Sequence, residues 1–276
     1  MRLVAALAVS TLSIAPAVAA DYLRGPLPEP AARAGVSSPY DWSGAYAGGH
    51  FNFGSSRFNN ADLLTPAAST AISSSELSTH LGTTNAFGNA NGNKGGYGGY
   101  IGYNTMWDDV VVGLEGEYTR ADVRATSSST LVGTLTSTAV TNGYFNYNTT
   151  LTGRTTINDY FAVKARAGWA IDRLLLFASL GVARATVTRE TGASGTWELY
   201  SSPPRTPVSG LVTAAGGWKS TYAKWGFVAG LGAEYALTDN VILRGDWQYL
   251  GIGSANGGKN GYHTMNTVRA GANIKF

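Results

Sequence analysis

The stretch from His263 to Phe276 reads HTMNTVRAGANIKF, and it alternates apolar and polar residues one for one. Val268, Ala270, Ala272, Ile274 and Phe276 share one face; Thr267, Arg269, Gly271, Asn273 and Lys275 share the other. A period of two marks a strand with one greasy and one polar side. An alternation that runs on to an aromatic residue suits a strand sealing a membrane barrel better than a terminus fraying into water.

Seven more segments carry the same period: Trp42–Phe53, Gly96–Met106, Val110–Val123, Tyr160–Ile171, Leu174–Arg189, Thr221–Leu237 and Val241–Leu250. Their connections alternate in length. Tight turns fall at Trp107–Asp109, Asp172–Arg173 and Thr238–Asn240, and long loops at Gly54–Gly95, Arg124–Asp159, Glu190–Ser220 and Gly251–Tyr262. This pattern predicts an all-β fold over 42–276, an eight-stranded antiparallel up-and-down transmembrane β-barrel. It would have long extracellular loops, short periplasmic turns and both mature termini in the periplasm.

A soluble lipocalin-like barrel has the same period with the faces reversed. The charges choose between them. Glu115, Glu117, Lys164, Arg166, Glu234, Arg244, Asp246 and Arg269 all lie on the polar faces, four acids against four bases on neighbouring strands. Facing lipid, each would cost about 2–4 kcal/mol near the midplane; facing inward they can pair. Eight strands enclose only enough room for side chains, so the interior is expected to be a packed polar core and not a pore. The aromatics sort to strand ends. Trp225, Phe227, Trp247, Tyr249, Tyr118 and Phe161 are expected at the outer interface, and Tyr103, Trp107, Trp169, Tyr235 and Phe276 at the periplasmic one.

Composition agrees. Charged residues make up 13%, and 36 glycines leave room for long inward side chains. After the N-terminus no apolar run is long enough for a membrane helix, and past Ala20 no amphipathic helical stripe is expected. Met1–Ala20 has a basic start, an apolar centre and a small-residue end, the plan of a secretion signal; Asp21–Asp41, with four prolines, reads as a periplasmic linker. Without Arg2 the formal charge falls from +3 to +2, too little to suggest nucleic acid. No cysteine is present, which removes disulfides and thiolate metal sites. Within Arg124–Asp159, the β-formers Thr130–Thr136, Tyr144, Phe145 and Tyr147 predict a hairpin rising beyond the membrane. Pro203, Pro204 and Pro207 should keep their loop irregular.

Four segments carry a family resemblance. Asp41–Gly49 reads DWSGAYAGG, Gly98–Asn104 reads GGYIGYN, Val112–Glu117 reads VGLEGE and Val268–Phe276 reads VRAGANIKF. Together they resemble the small outer-membrane immunogenic surface proteins of alphaproteobacteria, a porin-like group with hemin-binding members. The resemblance implies a Gram-negative outer-membrane barrel among lipids and lipopolysaccharide, delivered to the barrel-assembly machinery by a closing strand ending in Phe276. It implies little about the loops, where ligand specificity would lie.

The chemical inventory is thin. His50 and His263 fall near the outer ends of the first and last strands, and they are the candidates for a heme or metal ligand pair. No strand offers a His/Ser/acid set on one site, and the glycines of 95–102 lack nucleotide-loop spacing. The leading expectation is a non-enzymatic surface barrel without a cofactor, serving envelope integrity and surface contacts. The alternatives are a heme or small-ligand binder and a narrow channel.

Overall fold

The computed structural model describes residues 40–60, 63–84, 87–201, 205–253 and 263–276. The secretion signal over 1–20 and the linker up to residue 39 lie outside these residues. The elements are β1 (Gly44–Asn59), α1 (Leu64–Ala71), α2 (Ser75–Thr83), β2 (Asn89–Trp107), β3 (Val110–Thr136), β4 (Gly143–Ile171), β5 (Leu174–Ser201), β6 (Thr206–Pro207), β7 (Val212–Ala236), β8 (Val241–Ile252) and β9 (His263–Lys275). Neighbours pair antiparallel in the order β4-β3-β2-β1-β9-β8-β7-β5, and β4 also pairs with β5. The eight long strands therefore form a closed ring, which removes the sheet edges that would otherwise recruit other strands. The closing strand β9 lies between β1 and β8.

Two-residue turns set the register at one end. Asp108–Asp109 joins β2 to β3, and Asp172–Arg173 joins β4 to β5. Asp108 and Asp172 both sit at φ +51°, a left-handed conformation that a short polar side chain tolerates and a tight hairpin demands. Around the ring the apolar face points outward: Phe51, Ile101, Leu114, Val163, Leu180, Leu231 and Val268 are exposed. On β4 this face runs from Phe161 to Ile171, roughly 33 Å of strand, or about 25 Å of height at the usual tilt.

Beyond that band the strands continue further than their hydropathy suggested. β3 and β4 rise together to a turn at 137–142, as the β-formers in that loop predicted. The stretch expected as a loop over Glu190–Ser220 is mostly strand. β5 reaches Ser201 and β7 starts at Val212. Pro207 is itself paired, in the two-residue β6, which bonds only to β5; an outer edge is where a residue without an N–H is tolerated in a sheet. Pro203 and Pro204 lie outside the described residues. Bulges between Arg120 and Val123 on β3 and between Ile157 and Asp159 on β4 mark where the extension leaves the membrane band.

The expectation of no helix past Ala20 is overturned by α1 and α2, which fill the loop between β1 and β2. At eight and nine residues they are too short to show a long stripe. Leu77 and Leu81, one turn apart on α2, are both buried, and the Ser74 hydroxyl accepts from Leu77 N–H at 3.3 Å as its N-cap.

The lumen is layered. At the turn end, Tyr40, Trp42, Val111, Ala170, Leu175, Ala236 and Ile242 form an apolar cluster. Tyr40 was read from sequence as linker, yet it is buried. Its hydroxyl donates to Asp239 O at 3.0 Å, and Trp42 Nε1 donates to Asp172 O at 3.1 Å, so this stretch is tied across the mouth to two turns. A charged layer follows. Above it lies a second apolar layer that includes Phe58, Val123, Ile157, Val187, Val228, Leu250 and Met265. The helices then pack on Phe145, Leu151, Ala193 and Trp197 of the extension.

Candidate functional site

The charged layer is the densest chemistry in the molecule. Strand parity turns Glu115 and Glu117 on β3, Lys164 and Arg166 on β4, Glu234 on β7, Arg244 and Asp246 on β8, and Arg269 on β9 into the lumen, and all eight are buried. Glu115 lies opposite Lys164, Glu234 opposite Arg244 and Asp246 opposite Arg269 in the ladders. Each acid serves more than one cation, Glu234 reaching Arg244 at 3.6 Å besides Arg166. Glu115 takes Arg244 at 2.5 and 3.2 Å and Lys164 at 2.8 Å. Glu117 takes Arg269 at 2.6 Å and Lys164 in a short contact. Asp246 takes Arg269 Nε at 2.7 Å and Arg244 Nε at 2.9 Å. Glu234 holds Arg166 bidentately at 2.7 and 3.1 Å.

Neutral groups complete the layer. Tyr46 donates to Glu115 at 2.8 Å and accepts from Arg166 at 2.9 Å; Tyr160 donates to Glu117 at 3.1 Å. Asn273 donates to Glu234 at 3.3 Å, and Gln248 donates to Tyr160 at 2.8 Å. The Arg166 guanidinium stacks over Phe177 at 4.3 Å. Glycines make the space: a Cβ on Gly102 would lie 2.4 Å from the Tyr46 hydroxyl. Buried charges persist only when paired and hydrogen-bonded. The eight sum to zero and share partners across five strands, so the layer braces the ring from inside.

The structure does not bring His50 and His263 together. On β9 the residue opposite His50 is Gly271, eight residues from His263, or about 26 Å along the strand. They cannot share one iron. His50 sits in the charged layer, stacked on Tyr100. Thr119 gives its only proton to Glu117 at 2.8 Å, which leaves His50 Nε2 as donor to Thr119 at 3.1 Å. His263 lies above the membrane band, fully buried beside Phe58. Its Nε2 accepts from Arg189 at 3.2 Å. Burial first, then Arg189 and Lys224, hold it down to about 3, so the ring is neutral. Among the described residues no group of three His, Cys, Asp or Glu could hold a metal ion.

At the loop end, Glu76 of α2 fixes the helices to the β3–β4 turn. It accepts from Thr138 N–H at 2.5 Å and from Ser137 at 3.0 Å, and the backbone bond from Thr138 lowers its pKa. Phe276 is exposed on the outer wall at the turn end, and its N–H donates to Ala45 O at 2.9 Å. Sequence reasoning placed the eight charges on polar faces but did not assign the neutral partners. Tyr46, Tyr100, Gln248 and Asn273 share the charges' inward parity, which is the signal that could have found them.

Residues 4–276 match the family model for the outer membrane protein beta-barrel domain. Solved structures align with low scores. Ail, the attachment invasion locus protein of Yersinia pestis, is 12% identical, with 85% of this chain and 100% of that one covered and a TM-score of 0.35. Neisserial surface protein A is 14% identical, with 84% and 99% covered and a TM-score of 0.36. The outer membrane protein OprG from Pseudomonas aeruginosa is 10% identical, with 86% and 98% covered and a TM-score of 0.36. No curated protein matches the sequence. With nearly its whole length matched, the chain belongs to the outer membrane protein beta-barrel domain family.

Proposed function

We propose that this chain is a closed, non-enzymatic surface barrel that braces the outer membrane and carries its β3–β4–β5–β7 extension and helices outward for contact. The observation that carries the reading is the layering of the lumen. The charged layer is held between an apolar cluster under Tyr40 and Trp42 and a second one around Phe58, Ile157 and Leu250. A permeation path would have to cross both, which argues against the narrow channel. The separation of His50 from His263 likewise leaves heme capture by that pair without support. The segments Asp41–Gly49 and Val268–Phe276 favour kinship with the alphaproteobacterial surface antigens, and the closing strand with Phe276 would be the part presented to the barrel-assembly machinery.

The loop end is assigned outward on charge as well as length. The turn end carries Asp41, Asp108, Asp109, Asp172 and Asp239 against Arg173 and Lys275, whereas around the band's other edge Arg57, Arg120, Arg124, Arg154, Arg184 and Lys219 outnumber Asp122, Asp159 and Glu190. Cations belong beside the anionic headgroups of the outer leaflet. An epitope inserted between Thr138 and Ala139 should be detected on intact cells, and the pure protein should be silent in planar bilayers. Detection only after permeabilisation would overturn the orientation, and stepwise conductance would overturn the closed lumen.

A further inference from the structure

The outer wall of β1, β2 and β9 changes character at one height. Up to Phe53 its outward residues are apolar: Phe51 and Phe53 on β1, Tyr97 on β2 and Val268 on β9, all strongly exposed. The next row outward is Asn93–Ser55–Asn266, and the row above that is Asn91–Arg57–Thr264, each set by the register of three adjacent strands. These side chains line a polar recess of about 410 Å³. Below it on the same strands runs an apolar groove of about 530 Å³, walled by Phe51 and Tyr97 over a floor of Gly49 and Ala272.

Several of the charges nearby are already committed. Arg120 pairs with Asp122 at 3.3 Å, and Arg154 and Lys219 pair with Glu190 at 3.5 and 2.9 Å. Arg57 makes no ion pair among the described residues, and it sits among three asparagines, a threonine and a serine. One guanidinium suits one phosphate. Amides and hydroxyls around it suit the hydroxyls and amides of a sugar, not the small headgroup of a glycerophospholipid. The Phe column beneath leads an acyl chain downward.

We propose that this wall binds a phosphorylated, acylated sugar lipid of the outer leaflet. The phosphate sits on Arg57, the sugar sits on Asn91, Asn93, Thr264 and Asn266, and a chain lies along Phe53 and Phe51 into the Gly49–Ala272 groove. This rests on the outward placement of the loop end. The test is insensitive to that placement: full-length protein folded in detergent micelles, with lipid A displacing a fluorescent lipid A. Heat-modifiable migration on gels first selects folded variants.

Arg57→Ala should weaken lipid A at least tenfold. Arg184→Ala, which removes an exposed arginine flanked by Phe161 and Trp225 without amide neighbours, should change it less than twofold. Lipid A stripped of its phosphates should bind wild type at least tenfold more weakly, and Arg57→Ala should weaken it no further. Asn93→Ala with Asn266→Ala should weaken lipid A while leaving phosphatidylglycerol unchanged. Equal effects of Arg57→Ala and Arg184→Ala, or displacement by phosphatidylglycerol as good as by lipid A, would overturn the site. A failed epitope experiment would instead overturn the orientation and leave the micelle result standing.

Discussion

Arg166 and Glu234 offer the sharpest test of the interior. Theirs is a bidentate pair, at 2.7 and 3.1 Å, and neither side chain touches solvent appreciably. Glu234→Gln keeps the shape and the partner Asn273 but leaves four buried bases facing three acids. Arg166 would then have only Glu115, at 3.6 Å, as a counter-charge. Removing one partner of a buried pair costs about 3–5 kcal/mol, because the survivor is stranded out of water. Arg166→Met should cost a similar amount from the other side. The double variant leaves Glu115, Glu117 and Asp246 against Lys164, Arg244 and Arg269, a balanced set whose contacts with one another are untouched. Tyr46 still donates to Glu115. Exchanging a whole buried pair for neutral side chains is often close to neutral, so the double variant should fall within about 2 kcal/mol of wild type. Urea unfolding of protein refolded into lipid vesicles, followed by tryptophan fluorescence and scored by heat-modifiable migration, gives the three free energies. A double variant as unstable as the two singles added together would refute the view that charge balance holds this layer.

Three further outcomes are expected. The His263 ring is held down to about 3 in the folded protein and titrates near 6.5 when unfolded. Between those values the unfolded chain binds the extra proton, so this contribution is complete above pH 6.5 and is lost as pH falls toward 3; urea midpoints of His263→Gln should show a shallower acid decline than wild type, and parallel declines would exclude the ring. Gly102→Ala places a methyl 2.4 Å from the Tyr46 hydroxyl and 2.8 Å from Leu114 O, and should cost about 1–3 kcal/mol in the same titration; a change below about 0.5 kcal/mol would show that the wall yields freely. Phe276→Ala should lower the amount of heat-modifiable protein in outer membranes several-fold. Its urea midpoint after refolding in vitro should stay near wild type, since the ring is exposed; a matching loss in both would make the residue structural.

The membrane part of the fold was legible because one rule governs it. Lipid outside and a filled lumen inside force period two on every strand, and the aspartates at positions 108 and 172 mark the tight turns. The long upper strands were not legible by that rule, because the rule reverses. Along β3 the inward residues change from Glu115, Glu117 and Thr119 to Ala121, Val123 and Ala125, while the outward ones change from Leu114 and Tyr118 to Arg120, Arg124 and Thr126. The same exchange occurs on β5, where Leu180 and Val182 give way outward to Arg184 and Thr186, and inward Ser179 and Gly181 give way to Ala183, Ala185 and Val187. On β9, Val268 outward is followed by Asn266 and Thr264, and Arg269 and Thr267 inward by Met265 and His263.

This inversion gives the short helices their reason. Where the outside is lipid, polar side chains must turn inward and satisfy one another, and the lumen fills with an ion network. Where the outside is water, the strands can turn polar residues outward, and their inner face becomes apolar in the manner of a soluble sheet. An apolar concave face needs a cover. Leu63, Ala67, Leu77 and Leu81 supply it from the loop between β1 and β2, packing on Phe145, Leu151 and Trp197. A template that keeps one face apolar for a strand's whole length loses its footing past the inversion, and over Arg124–Asp159 and Glu190–Ser220 it reads the remainder as loop. Read instead as two half-patterns of opposite sense on one continuous strand, β3, β5 and β9 each carry the height of the membrane boundary in their own sequence. At that same height the β1 wall passes from Phe53 to Ser55 and Arg57.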